Sequence, residues 1–208
     1  MAKRPDWRAF TQDDQERSRQ NRRAGGWKAK KAGESAEELL MLVGKQYLAE
    51  ERAELRKRPE PYRRIGSAQS NGQFMAAPLS KSGPDFDLAL PDGRSGLIEV
   101  KSRKGHRIPL HAVGAVQSEA LARRIAWQGF GVIMVMLWDE KTISRWWAVD
   151  YRRWAYARGI GYKSFSDKDL DLLAIRCDMM IGARPDWLPA LFKSHIEAES
   201  QLWPLDTP

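Results

Sequence analysis

The stretch GPDFDLALPDGRSGLIEVKSRKG, Gly83–Gly105, carries three residues whose types suit chemistry: Asp85, Glu99 and Lys101. Glu99 and Lys101 are two apart within an apolar run, so on a pleated strand they share a face. Charges on a buried face are costly unless they are paired or bound to a metal. Two carboxylates one strand spacing apart repel each other. They become favourable around a hard divalent cation such as Mg²⁺, with Mn²⁺ as a substitute, which takes oxygen ligands and keeps waters that a phosphate can replace. A lysine beside them would orient an attacking water or stabilise negative charge developing on phosphorus. The same three residues also fit a solvent-facing salt-bridge cluster on an edge hairpin, and spacing alone does not choose between the two.

Whether Asp85 joins the pair depends on the turn. Phe86, Leu88 and Leu90 alternate with Asp87 and Ala89, and Leu97, Ile98 and Val100 continue the second strand. A three-residue loop over 91–93 would set Asp85 opposite Glu99. A five-residue loop over 91–95 would set it opposite Lys101. A two-residue loop, Asp92-Gly93, would turn Asp85 to the far face. An odd loop length is expected. Asp87 is a further acid on the same strand face.

The elements that must position these residues read as a mixed α/β domain in the order α-β-β-β-α-β-β-α. Ser35 and Glu38 form a capping box for a helix with apolar positions Leu39, Leu40, Leu42, Val43, Tyr47 and Leu48, ending before Pro59 and Pro61. A short strand is expected near Tyr62–Gly66. Gly66–Ser82 has no period, which marks a functional or mobile loop. A loop then feeds a helix over Ala112–Gln128, stopped by Gly129. Phe130–Trp138 is a continuous apolar run of strand length, buried on both faces. Thr142–Val149 should pair with it as a hairpin, followed by helices near Asp150–Ala157 and Lys168–Ile175, the latter capped by Ser166 and Asp169. RPDWLPALF suggests one further helical turn. Trp146 and Trp147 would point to opposite faces, one into the core and the other to a dimer or DNA surface.

The chain has 208 residues and a net charge of +8, unevenly placed. Residues 1–31 hold ten Lys/Arg against four Asp/Glu, or +6, interleaved with Trp7, Phe10 and Trp27. Such an arm, with Arg22, Arg23, Lys28, Lys30 and Lys31, suits phosphate neutralisation and base stacking; a solvated tail is the alternative. We expect residues 1–32 as the arm and 33–208 as one domain. The single cysteine, Cys177, allows no disulfide framework or thiolate cluster, and the three histidines lack zinc-motif spacing, so a metal site must be carboxylate-based. No run of 18 apolar residues and no signal-peptide pattern is visible, so no membrane partner is expected. No small-molecule cofactor is expected either.

Pro84-Asp85 followed by Ile98-Glu99-Val100-Lys101 resembles the PD-(D/E)xK nuclease motif, whose helix and strand order matches the one read here. IPLHAVGAVQSEAL, Ile108–Leu121, makes the likeness narrower: Pro109-Leu110 lead into a helix with Gln117 eight residues after the proline. Together with GESAEELL (33–40) and, more weakly, ARPDWLPAL (183–191), this resembles the RecU-type Holliday junction resolvases over Gly33–Leu191. The resemblance implies a mixed central sheet flanked by helices. It implies Asp85, Glu99 and Gln117 as metal ligands, Lys101 as transition-state stabiliser, and Glu37 as support from the first helix, although Glu38 competes for that place. The family often carries a threonine two residues before the aspartate, where this chain has Gly83. Gly66–Ser82 falls where the family has a stalk entering the junction. Phe74 or Met75 would wedge there, with Arg63, Arg64 and Lys81 on phosphates, and Lys104, His106 and His111 lie near the site; a plain surface loop and plain loop histidines are the alternatives. The implied activity is Mg²⁺-dependent cleavage of four-way DNA junctions by a cytoplasmic homodimer of a bacterial or phage-infected cell, leaving 5′-phosphates. Another nuclease of the superfamily, of restriction or repair type, and a non-catalytic DNA-binding protein on the same fold remain alternatives.

Overall fold

The computed structural model describes residues 36–59, 62–67, 73–78, 83–139, 144–182 and 184–200. The basic arm, Ser35 of the capping box and Lys81 lie outside them. The first helix, α1 (36–49), buries Ala36, Leu40, Val43 and Tyr47, spaced for one helical face. It stops ten residues short of Pro59. Glu51 takes a left-handed φ of 55°, and the Arg52 and Ala53 N–H groups return to the Tyr47 carbonyl at 2.8 and 3.4 Å. The chain then becomes strand β1 (Glu54–Lys57), with Leu55 buried.

β1 is the outer strand of a six-stranded sheet, β1-β4-β5-β7-β8-β10. The others are β4 (Phe86–Ala89), β5 (Ser95–Lys104), β7 (Phe130–Trp138), β8 (Arg145–Asp150) and β10 (Ile175–Arg176). β5 and β7 are parallel, joined through α2 (Ala115–Ala126); every other neighbouring pair is antiparallel. The three strands that precede α2 in this sheet are therefore β1, β4 and β5. The expected strand near Tyr62–Gly66 exists as β2 (Tyr62–Ile65), but it pairs with β3 (Met75–Pro78) in a separate ribbon. The remainder is β6 (Arg107–Pro109), α3 (Tyr151–Gly159), β9 (Ser164–Ser166), α4 (Asp167–Leu173), the β11–β12 hairpin (Asp178–Met180, Arg184–Asp186) and α5 (Trp187–Ser200). α4 carries the expected Ser166–Asp169 capping box, and α5 runs 14 residues where one turn was expected. No helix among the described residues is long and apolar enough to cross a membrane.

The sheet is covered on both faces. Ile98, Val100, Val132, Met134 and Trp146 pack with α1 and α5; Leu97, Ile133, Val135, Trp147 and Val149 pack with residues of α2, α3 and α4. This corrects the expectation that one of the two tryptophans faces a partner. Both are fully buried, one in each layer, because helices lie on both sides of β8.

α2 sits close enough to β7 to exclude a side chain. A Cβ on Gly131 would lie 2.9 Å from the Leu121 carbonyl and 2.9 Å from Ile125. Gly131→Ala should push α2 off the sheet at a cost of about 1–3 kcal/mol, read as a lower urea midpoint. Because α2 also carries Gln117, any activity should fall with it.

Asp150 fastens α3 and α5 to the sheet. Fully buried, it caps α3 by accepting the Arg152 N–H at 2.8 Å. It also accepts the Arg152 guanidinium at 2.9 and 3.0 Å and lies 3.2 Å from His195 Nδ1; Glu199 flanks both partners. Burial pushes its carboxyl up, but the bonds from His195 and Arg152 outweigh burial and hold it below the ordinary value. A depressed folded-state value means stability that is present above the unfolded value and lost as pH falls through the folded one. Asp150→Asn should thus cost about 1–3 kcal/mol at neutral pH. That difference should shrink in acid, as urea midpoints at pH 7 and pH 3 would show.

Candidate active site

The turn between β4 and β5 fixes the register on which the site depends. Leu90 N–H donates to the Arg94 carbonyl at 2.9 Å, and Gly93 N–H returns to Leu90, closing a three-residue loop over 91–93. Gly93 takes the left-handed φ of 86° that this turn requires. Phe86 then pairs with Ile98, so the next pair outward is Asp85 opposite Glu99. Phe86 and Leu88 enter the core layer of α1 and α5, which leaves Asp85 and Asp87 on the other face with Leu97, Glu99 and Lys101.

Glu99 is fully buried. Its Oε1 accepts from Lys101 Nζ and, at 2.5 Å, from Gln117 Nε2. Its Oε2 is buried and has no hydrogen-bond partner among the described residues. Asp85 Oδ2 accepts the Val100 N–H at 2.7 Å, so the side chain takes a β5 donor where the β4 ladder has ended. Burial, then the charge of Asp85, raises the Glu99 carboxyl to about 8, against the pull of Lys101. Burial also raises Asp85, and Glu37 adds to this while the Val100 N–H and Lys101 oppose it. Both carboxyls are thus under-compensated by protein cations alone.

Glu37, at the start of α1, is bound to Lys57 Nζ at 2.7 Å and reaches the two carboxyls only through its charge. Gln117, which the resemblance implies as a metal ligand, is brought to Glu99 with both of its amide atoms hydrogen-bonded. As the third residue of α2, its Oε1 folds back to accept the Gly114 N–H at 2.9 Å, which leaves the amide nitrogen aimed at Glu99. Among the described residues, no three His, Cys, Asp or Glu side chains gather closely enough to hold a metal ion by themselves. A cation here would use the two carboxylates and complete its shell with water or substrate oxygens. The unpartnered Glu99 Oε2 and the all-oxygen donors fit a hard divalent ion.

Of the other expected residues, Arg63 and Arg64 lie on the β2–β3 ribbon, whose β2 strand is exposed throughout and whose Ala77 in β3 is half-buried. Phe74 stacks on Tyr62 with centroids 6.0 Å apart and carries the Arg64 guanidinium 5.6 Å from its ring; Met75 is 69% exposed. Part of the stretch expected to be structureless is thus paired strand. Lys104 lies over the Trp138 ring at 5.9 Å. His106 is engaged by Asp167 and Arg145, each at 3.1 Å, and His111 sits in the short 3-10 turn Leu110–Ala112. Asp87 faces Arg58 at 3.6 Å. Arg58 was not among the residues expected from the sequence.

No family model and no curated protein sequence matches the chain. Among solved structures, the chain is similar to Hjc, a Holliday junction resolvase of the archaeal hyperthermophile Archaeoglobus fulgidus. The match has 15% identity over 68% of this chain and 93% of that one, with a TM-score of 0.37. At that identity and score, no residue role transfers from it.

Proposed function

We propose that this protein is a metal-dependent, structure-selective DNA endonuclease that resolves four-way junctions by paired, symmetric nicks leaving 5′-phosphates. The observation that carries the chemistry is the buried Glu99 Oε2, unpartnered beside Asp85 on one sheet face with Lys101. The junction selectivity rests on the sequence resemblance and on a basic, aromatic, exposed ribbon suited to wedging and stacking. Asp85 and Glu99 would hold Mg²⁺, with Mn²⁺ as a substitute, and the ion would supply Lewis-acid polarisation of the phosphate and a more acidic water.

The chain's own residues do the rest. Gln117 fixes the Glu99 carboxylate by hydrogen-bonding one oxygen, which leaves the other free toward Asp85. Lys101, about one-fifth exposed, releases Glu99 and donates to the attacking water or the phosphoryl oxygen as charge develops there. Glu37 holds Lys57 and keeps negative potential near Asp85. Two matched cuts require two sites, so the active form is a homodimer, and the arm of residues 1–32 neutralises phosphates along the branches.

An end-labelled mobile junction tests the reading. With Mg²⁺ the expected result is symmetric nicks on opposing strands, far faster than on linear duplex. Equal cutting of linear duplex points to a restriction or repair nuclease, and absence of any Mg²⁺-dependent nick points to a binding protein.

A further inference from the structure

Arg58 is the residue after β1 and continues its pairing, its N–H donating to the Asp85 carbonyl at 2.8 Å. Along β1, Leu55 and Lys57 pair with Leu88 and Phe86, which enter the core layer of α1 and α5. Arg56 and Arg58 therefore belong to the face of Asp85, Asp87 and Glu99. Because β1 and β5 flank β4, Arg58 and Lys101 stand on either side of Asp85.

Two neighbours locate the guanidinium. Its Nε is 3.6 Å from the Asp87 carboxylate, and its Nη1 is 3.2 Å from where a Cβ on Gly83 would be. Gly83, Asp85 and Asp87 are alternate residues of one chain segment, so the guanidinium lies along the flank of Asp85. Gly83 does not have a left-handed backbone. A Cβ at position 83 would press on the Arg58 guanidinium, which would have to give by a few tenths of an ångström. Beyond it, a cleft of about 280 Å³ follows the same face past Arg56, Asp87, Ser95 and Arg124. It stays open because α2 lies over β5 and β7. The Arg58–Asp87 pair is long and both side chains are more than a third exposed, so it holds the guanidinium weakly. A phosphate offers that fork two oxygens.

We propose that Arg58 binds the DNA phosphate next to the one being cut, on the side of Asp85 away from Lys101, and that Gly83 keeps room for its guanidinium. The proposal rests on the nuclease reading. Its test uses the full chain and a four-way junction. Binding is followed by anisotropy over a salt series without divalent ion, and single-turnover cleavage is then started with Mg²⁺. Arg58→Ala should weaken binding about 5- to 10-fold near 0.1 M salt and reduce the slope of log K against log salt by about one. Arg58→Lys should keep the slope and cut at an intermediate rate. Gly83→Val should reproduce the Arg58→Ala defect, and the double variant should be no worse than either. Melting curves matching wild type secure the comparison. Wild-type affinity and slope in Arg58→Ala, or additive losses in the double variant, overturn the proposal. A wild type that cuts while Arg58→Ala binds normally sinks the phosphate contact and spares the nuclease reading. A wild type that never cuts, while Arg58→Ala still loses slope, does the reverse.

Discussion

Replacing Glu99 by Gln should lower Mg²⁺-dependent junction cleavage by about 10³-fold or more while leaving junction binding intact. The amide keeps the shape of the side chain and can still accept from Lys101 and Gln117, the two partners that hold Oε1. What it loses is the second oxygen's charge, and that oxygen is the one without a hydrogen-bond partner among the described residues. The fold should not suffer. Burial and the charge of Asp85 hold the Glu99 carboxyl up at about 8 in the metal-free protein, and that raised value costs stability near neutral pH which a neutral amide does not, so the variant should melt at or above the wild-type temperature. Intact cleavage by Glu99→Gln would falsify the assignment; loss of cleavage together with loss of folding would show Glu99 to be structural.

Lys101→Ala should be the second large effect, about 10²- to 10³-fold in the single-turnover rate with little change in junction affinity. Lys101 reaches Glu99 from two residues along the same strand, and its ammonium is the cation paired to that carboxylate. Arginine at 101 should restore part of the rate, since it returns the charge with a different donor geometry. A variant that binds more weakly but cuts at the wild-type rate would make Lys101 a binding residue and leave the chemistry without its stabilising cation.

The hairpin that carries the site was legible because its strands alternate and its loop, Pro91-Asp92-Gly93, has turn chemistry that limits the registers. The buried strand Phe130–Trp138 was legible from length and apolarity alone. β1 was not. Its residues, Glu-Leu-Arg-Lys, continue the helix before them in composition, and the break comes at Glu51, a non-glycine residue in a left-handed conformation that composition does not mark. The β2–β3 ribbon was legible only in part because a ribbon exposed on both sides has no reason to alternate. Trp146 and Trp147 misled because the weak helical patterns after Gly161 hid the second covering layer. Gln117 was found by its spacing from Pro109, but its orientation depends on a helix-start hydrogen bond to Gly114 that spacing does not encode. Arg58 was missed for a related reason. Its place is marked by what Gly83 lacks rather than by any residue type of its own.

The central claim is that Asp85 and Glu99, brought opposite each other by the three-residue turn, hold one divalent ion between them. Mn²⁺ binding followed by electron paramagnetic resonance on the DNA-free protein tests it most directly. The account predicts saturable uptake of about one ion per chain, lost in Asp85→Asn and in Glu99→Gln with the melting temperature preserved. Wild type that takes up no Mn²⁺, or an Asp85→Asn variant that binds it as tightly as wild type, would contradict the account.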